Sequence, residues 1–163
     1  MTKDETERRL LSPLLYVEDD DDLYLMTERR LRDKYQLSRA RNSRELFLRL
    51  RETRFTGILM DIHLRASEFD GMAMTKIIRG KMAAPPGVSL SRMALRSIPI
   101  IVVTAFVCDE TRQEARKAGA DGFMAKPIRF SELKTELANA RVERVRYCGL
   151  AHSYESVGLV SSR

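Results

Sequence analysis

With 163 residues, 44% of them hydrophobic and 32% charged, the chain has the size and balance of one soluble globular domain with a real core. No apolar run nears the ~20 residues of a membrane span, and the charged start MTKDETERRLLS lacks the apolar centre of a signal peptide. Only two cysteines occur, Cys108 and Cys148, with no CxxC and no nearby histidine pair; this argues against a disulfide framework or a zinc site and points to a cytoplasmic protein.

Residues 1–11 read as an N-terminal extension. The first buried strand is expected over Leu14–Val17, and it runs directly into YVEDDDD, where Glu18 to Asp22 put five carboxylates in a row. Like charges repel, so such a run is either well solvated or neutralised by a cation. A helix follows from about Asp21 to Lys34, with aspartates in its first turn and Leu23, Met26 and Leu31 expected on its inner face. A weaker strand is expected at Leu37–Ala40. Asn42 or Ser43 can cap a second helix that carries Leu46 and Leu50. The net charge of +6 would suit a polyanion, and non-specific affinity for one fits it. The arginines of RELFLRLRETR, however, alternate with apolar residues at helical spacing, as on the solvated face of a packed helix. No helix-turn-helix, zinc finger or RNA-binding aromatic pattern is present, so no dedicated nucleic-acid binding is expected.

Ile58–Met60 and Ile100–Val103 read as further buried strands, rich in branched residues and nearly uninterrupted, and Gly122–Ala125 as a weaker one. A third helix starts near Gly71. A fourth spans about Asp109 to Ala118 with Gly119 as its C-cap. A fifth has Ser131 in its first turn and runs to about Arg146, with Leu133, Leu137 and Ala140 inward. Strands alternating with helices predict an α/β sandwich around a parallel sheet, one domain over residues 12–146. The tail 147–163 has no strong period and is too short for a domain of its own.

In such sheets ligands bind beyond the carboxyl ends of the strands. Those ends carry Glu18, Asp19 and Asp20, then Asp61, then Thr104, then Lys126. Singly, each has an ordinary explanation: Asp61 as a strand-end acid, Thr104 bonding its own backbone, Lys126-Pro127 as a turn that a cis peptide would suit. His63 reads as a neutral, partly exposed histidine and Cys108 as a small hydrophobe. Jointly, acids, a hydroxyl and a lysine on one rim are not explained by coincidence.

At these positions the chain resembles the receiver domain of two-component response regulators. The resemblance rests on LLYVEDD, GILMDIHL, DG at 70–71, IPIIVVTA and GADGFMAKP, and covers roughly residues 12–140. It implies a flavodoxin-like fold, a five-stranded parallel sheet in the order 2-1-3-4-5 flanked by five helices. It further implies that Asp61 accepts a phosphoryl group from a histidine kinase or phosphotransfer protein in a Mg²⁺-dependent reaction, with no other cofactor. Asp19 and Asp61 would bind the metal directly, Glu18 largely through water, and the backbone carbonyl of His63 would complete the protein ligands. Lys126 and Thr104 would meet the acyl phosphate, and Thr104 and Phe123 would form the conformational switch. Such a chain is no enzyme in the usual sense, although it catalyses its own phosphoryl transfer and autodephosphorylation.

The expected role is a single-domain regulator acting on an unknown downstream protein, as monomer or weak homodimer. A receiver fragment of a hybrid kinase or longer regulator is the alternative, and a phosphorylation-independent binding module is the rival of another class. A phosphatase of the haloacid-dehalogenase type would want an acid where His63 stands. Two stretches depart from the family. The loop HLRASEFDG lacks the usual proline and is longer by about two residues, and the connection Gly80 to Ser97 by roughly ten, against ordinary links of 2–6. The latter carries Lys81, Arg92 and Arg96, as a partner-specific loop or a tolerated insertion.

Overall fold

A computed structural model describes residues 11–90 and 97–141. The elements follow in the order β1 (Ser12–Val17), α1 (Asp21–Leu31), β2 (Tyr35–Ala40), α2 (Ser43–Glu52), β3 (Gly57–Asp61), α3 (Gly71–Ile78), β4 (Ile100–Thr104), α4 (Asp109–Ala118) and β5 (Gly122–Ala125), then helical residues 130–141, here α5. All strands are parallel, in the order β2-β1-β3-β4-β5. The flavodoxin-like sandwich expected from the sequence is therefore the fold observed. Residues 142–163, which hold the expected end of the last helix and the tail, lie outside the described residues, as do 1–10.

The centre of the sheet explains itself. Leu14 to Val17, Gly57 to Asp61 and Ile100 to Thr104 are buried on both faces, as a parallel sheet between two helix layers requires. Side chains alternate. Leu15, Val17, Ile58 and Met60 meet Leu46, Phe47 and Leu50 of α2 and Met74, Ile77 and Ile78 of α3. Leu14, Tyr16, Leu59, Ile101 and Val103 meet Leu31 of α1 and Leu133, Leu137 and Ala140 of α5. A smaller cluster joins Val102 to Met72, Ala115 and Ala118, with Phe123 packed against it.

Short polar caps fix where the helices begin. Asp20 Oδ1 accepts from Leu23 N–H at 2.9 Å, Asn42 Oδ1 from Glu45 N–H at 3.0 Å and Asp70 Oδ1 from Ala73 N–H at 2.7 Å. Gly119, at φ +104°, ends α4 in the left-handed conformation that favours glycine. Cys108 departs from its expected apolar role: it is exposed, and its Sγ caps α4 by accepting from Thr111 N–H. Met26 also departs, being largely exposed while Thr27 is buried. Leu31 is fully buried, and positions three and four residues apart share a face, so Leu31 brings Thr27 and Tyr24 inward and leaves Met26 outside.

The insertion after α3 turns at Gly87 (φ +78°) and lays Val88 and Leu90, with Ile98, against the α2–α3 core. Lys81 donates to the carbonyl of Lys117; Arg92 and Arg96 lie outside the described residues. Among the described residues no helix is long and apolar enough to cross a membrane.

Candidate functional site

The carboxyl ends of β1, β3, β4 and β5 meet in one rim because adjacent parallel strands end together: Val17 pairs with Met60, Asp61 with Val103, and Thr104 with Ala125. Asp61 and Thr104, the last residues of β3 and β4, and Glu18 and Lys126, the residues just after β1 and β5, therefore lie on the same rim.

Glu18 is 1% exposed. A buried carboxylate needs partners, and it has three. Tyr16 O–H donates to Oε2 at 2.7 Å, Asp20 N–H to Oε1 at 3.1 Å, and Lys126 Nζ also reaches Oε2. Burial, and then the Glu18 charge, push the Tyr16 phenol well above its ordinary pKa, so it stays a donor. Asp61 is buried at the end of β3, with Oδ2 2.8 Å from Lys126 Nζ and Oδ1 accepting from His63 N–H at 3.3 Å. The Lys126 backbone N–H donates to the Thr104 carbonyl (2.8 Å), which ties the start of the following turn to the end of β4, and the Lys126–Pro127 bond is cis.

Burial, helped by the Glu18 charge, raises the Asp61 carboxyl above its ordinary value against the pull of Lys126. Burial alone would lower the Lys126 ammonium; hydrogen bonds and charge from Asp61 and Glu18 outweigh that and raise it. The two directions fit together. Lys126 is shared between two acids, so it gains from both while Asp61 receives only part of its charge.

Thr104 is fully buried, and its Oγ1 accepts from Phe106 N–H at 3.1 Å. Phe123 lies one register step back on β5, opposite Val102, on the same face of the sheet as Thr104. Its ring is half-buried, and the guanidinium of Arg112 stands 4.8 Å over it. The His63 side chain is exposed, with its ring edge-on to the exposed Phe106 at 6.4 Å. The crevice thus brings together Glu18, Asp19, Asp61, Thr104 and Lys126, with Phe123 on the adjoining face.

Four further residues shape the site, and of these only Gly71, in the DG pair at 70–71, has a plain sequence signal. Tyr16 reads as core, yet it binds Glu18. Arg39, in the weaker strand, is turned inward, donating through Nε to the Glu18 carbonyl (2.8 Å) and stacking on Tyr24. Gly71 starts α3 so close to β3 that a Cβ there would lie 2.0 Å from the Asp61 carbonyl oxygen, so glycine is needed for the approach. Arg65, in the lengthened loop, donates from N–H (3.0 Å) and Nε (3.3 Å) to Asp19 Oδ2.

Glu18, Asp19 and Asp61 each offer an oxygen within 4.8 Å of the others. Opposite ligands of an octahedral site of ~2.1 Å bonds are about 4.2 Å apart, so small side-chain adjustments would let these three share one small cation. An all-oxygen, anionic donor set fits a hard divalent ion such as Mg²⁺ and not a soft one.

Comparison with known proteins agrees with this geometry. A family model described as "Response regulator receiver domain" matches residues 14–138. The chain is 34% identical over 110 residues to the polar-differentiation response regulator DivK of Brucella anthropi, covering 65% of this chain and 79% of that protein. It is 31% identical over 144 residues to the transcriptional regulatory protein ZraR of Salmonella typhimurium; the match takes in 88% of this chain but 27% of ZraR, so the chain spans about a quarter of that relative's length. Among solved structures, the receiver domain of the Pseudomonas aeruginosa sensor histidine kinase PA1611, which has a magnesium ion coordinated in its active-site cleft, superposes with a TM-score of 0.63 at 26% identity, over 78% of this chain and 94% of that one. Vibrio cholerae CheY4, at 23% identity and a TM-score of 0.65 over 80% and 98%, shares the fold.

Proposed function

The chain belongs to the response-regulator receiver family, and on that premise we propose that Asp61 is its phosphoacceptor, in a Mg²⁺-dependent transfer from a histidine kinase or phosphotransfer protein. The observation that carries this reading is the buried contact of Asp61 with Lys126, beside the Glu18–Asp19–Asp61 cluster. An Asp61 oxygen attacks phosphorus, the bond from phosphorus to the donor's imidazole nitrogen breaks, and that nitrogen keeps the electron pair. Bound Mg²⁺ would neutralise the phosphoryl oxygens. Asp19 and Asp61 would hold it directly, Glu18 largely through water, and the His63 backbone carbonyl would be the remaining protein ligand. Lys126 supplies a fixed positive charge to the acyl phosphate; water later hydrolyses that bond and restores the carboxylate.

The switch begins at Thr104. Its hydroxyl must leave the Phe106 N–H to reach the phosphoryl group, and Phe123 follows inward on the same face, leaving its stack with Arg112. The DivK match, which takes in most of that protein, supports the finer reading of a stand-alone regulator; the ZraR match supports a receiver carried within a longer chain. In both cases the switch would present a changed surface to a downstream protein.

Acetyl phosphate or phosphoramidate with Mg²⁺ is expected to add one phosphoryl mass to the intact protein, and Asp61→Asn to abolish it. Equal labelling of the Asp61→Asn protein sinks the assignment. For the switch, a beryllofluoride mimic at constant Mg²⁺ is expected to change amide hydrogen exchange more in residues 104–130 than in 24–54. A few kcal/mol of differential contact is enough to bias two such states. Larger changes in 24–54 would mean that another surface carries the signal.

A further inference from the structure

The three clustered carboxylates are already shared between two cations of the chain itself. Lys126 spans Glu18 and Asp61 from within the fold, its side chain 11% exposed. Arg65 takes Asp19 from the solvent side, with its side chain 79% exposed and its outer nitrogen 3.5 Å from Asp20 Oδ2. The two differ in what they can give up. Lys126 is enclosed and has two acids to satisfy. Arg65 rides on the loop HLRASEFDG, whose backbone N–H at the same residue also donates to Asp19 Oδ2, separately from the guanidinium.

We propose that the Arg65 guanidinium competes with the divalent cation for Asp19, so that metal uptake requires its displacement and this chain's metal affinity is set partly by Arg65. The inference rests on the metal-seat reading of Glu18, Asp19 and Asp61. Its physical basis is charge. With Lys126 and Arg65 in place the three acids carry one net negative charge; without Arg65 they carry two, and a divalent ion is drawn more strongly. An exposed pair of this kind is weak and screened by salt, so removing it is worth about two- to fivefold in affinity. A stabilising role for Arg65 would predict the reverse sign.

The test is calorimetric titration of the full chain with MgCl₂ alone, at about 0.02 M and about 0.5 M NaCl, where screening lengths differ severalfold. Arg65→Gln is expected to bind Mg²⁺ about two- to fivefold more tightly than the wild type at low salt, with the difference closing at high salt. Arg65→Lys, which keeps the charge, should stay near wild type. In an Asp19→Asn background the gain from Arg65→Gln should vanish, because the contested oxygen is no longer a carboxylate. Unchanged or weaker binding by Arg65→Gln at low salt overturns the proposal, as does an equal gain in the Asp19→Asn background. If neither wild type nor Arg65→Gln takes up Mg²⁺, the metal seat itself is wrong and the competition falls with it.

Discussion

Arg79→Ala is expected to lower unfolding stability by about 3–5 kcal/mol, the usual cost of breaking a buried ion pair by removing one partner. Arg79 is the C-cap of α3, and its side chain is almost wholly enclosed, as is that of Asp121. The guanidinium donates to Asp121 Oδ2 at 2.6 Å, to the Gly119 carbonyl at 2.9 Å and to the Ile98 carbonyl at 2.9 Å. The same Asp121 oxygen accepts from Ile100 N–H, the first amide of β4. One side chain therefore ties the end of α3 to the approach to β4 and to the turn between α4 and β5. Alanine would take a donor away from a carboxylate whose side chain is almost wholly enclosed and from two backbone carbonyls. Arg79→Lys should recover only part of the loss, since an ammonium cannot present the planar fork that meets all three acceptors. Urea unfolding followed by far-ultraviolet circular dichroism measures this. A loss below about 1 kcal/mol would mean that the clamp is solvated in solution and holds nothing.

That clamp was invisible in the sequence, and the reason is general. Arg79 and Asp121 are 42 residues apart, and neither sits in a pattern that marks it as buried; Arg79 ends an amphipathic helix as many exposed arginines do. Arg65 and Asp19 are 46 apart and equally silent. What could be read were features written locally. The buried strands announce themselves as apolar runs, and in a parallel sheet the residue after each run lies on one rim, so the sequence alone groups Glu18, Asp61, Thr104 and Lys126. The edge strand β2 was harder. Tyr35–Ala40 is only half-buried, and its Gln36 and Arg39 hide the run, so the sequence suggests the shorter Leu37–Ala40. In α1 the run Leu23, Tyr24, Leu25, Met26 covers more than a full turn, so periodicity cannot choose its inner face. The fully buried Leu31 chooses instead, and Thr27 goes in where Met26 was expected. Cys108 reads by its type as apolar, whereas the start of α4 needs an acceptor, and its sulfur serves as one.

Lys126→Met is expected to destabilise the fold by about 3 kcal/mol at neutral pH, because it leaves Glu18 and Asp61 buried side by side without their shared countercharge. The pH dependence identifies the cause. In the variant Asp61, whose carboxyl burial already raises, loses the lowering pull of Lys126 and has a folded pKa above its unfolded one, so the folded state binds more protons than the unfolded chain. Its stability therefore falls as pH rises from the unfolded carboxylate range toward neutrality, and the deficit against wild type is largest above the raised value and shrinks toward acid. The wild-type lysine works in the opposite sense: its raised pKa gives stability that is complete below the ordinary lysine value and is lost only as pH climbs through the folded one. Mg²⁺ should restore part of the variant's loss, about 1.4 kcal/mol for each tenfold excess over its dissociation constant. Under the proposed mechanism Asp61 of the variant still labels with acetyl phosphate, slowly, but the beryllofluoride-dependent change in exchange over residues 104–130 disappears, since nothing holds the acyl phosphate in the switched arrangement. Thermal unfolding between about pH 5 and pH 8, with and without Mg²⁺, measures the first part. A deficit that stays constant across that range would show that methionine fails through packing and that the two carboxylates never needed the charge. A full exchange response in the variant would separate the lysine from the switch altogether.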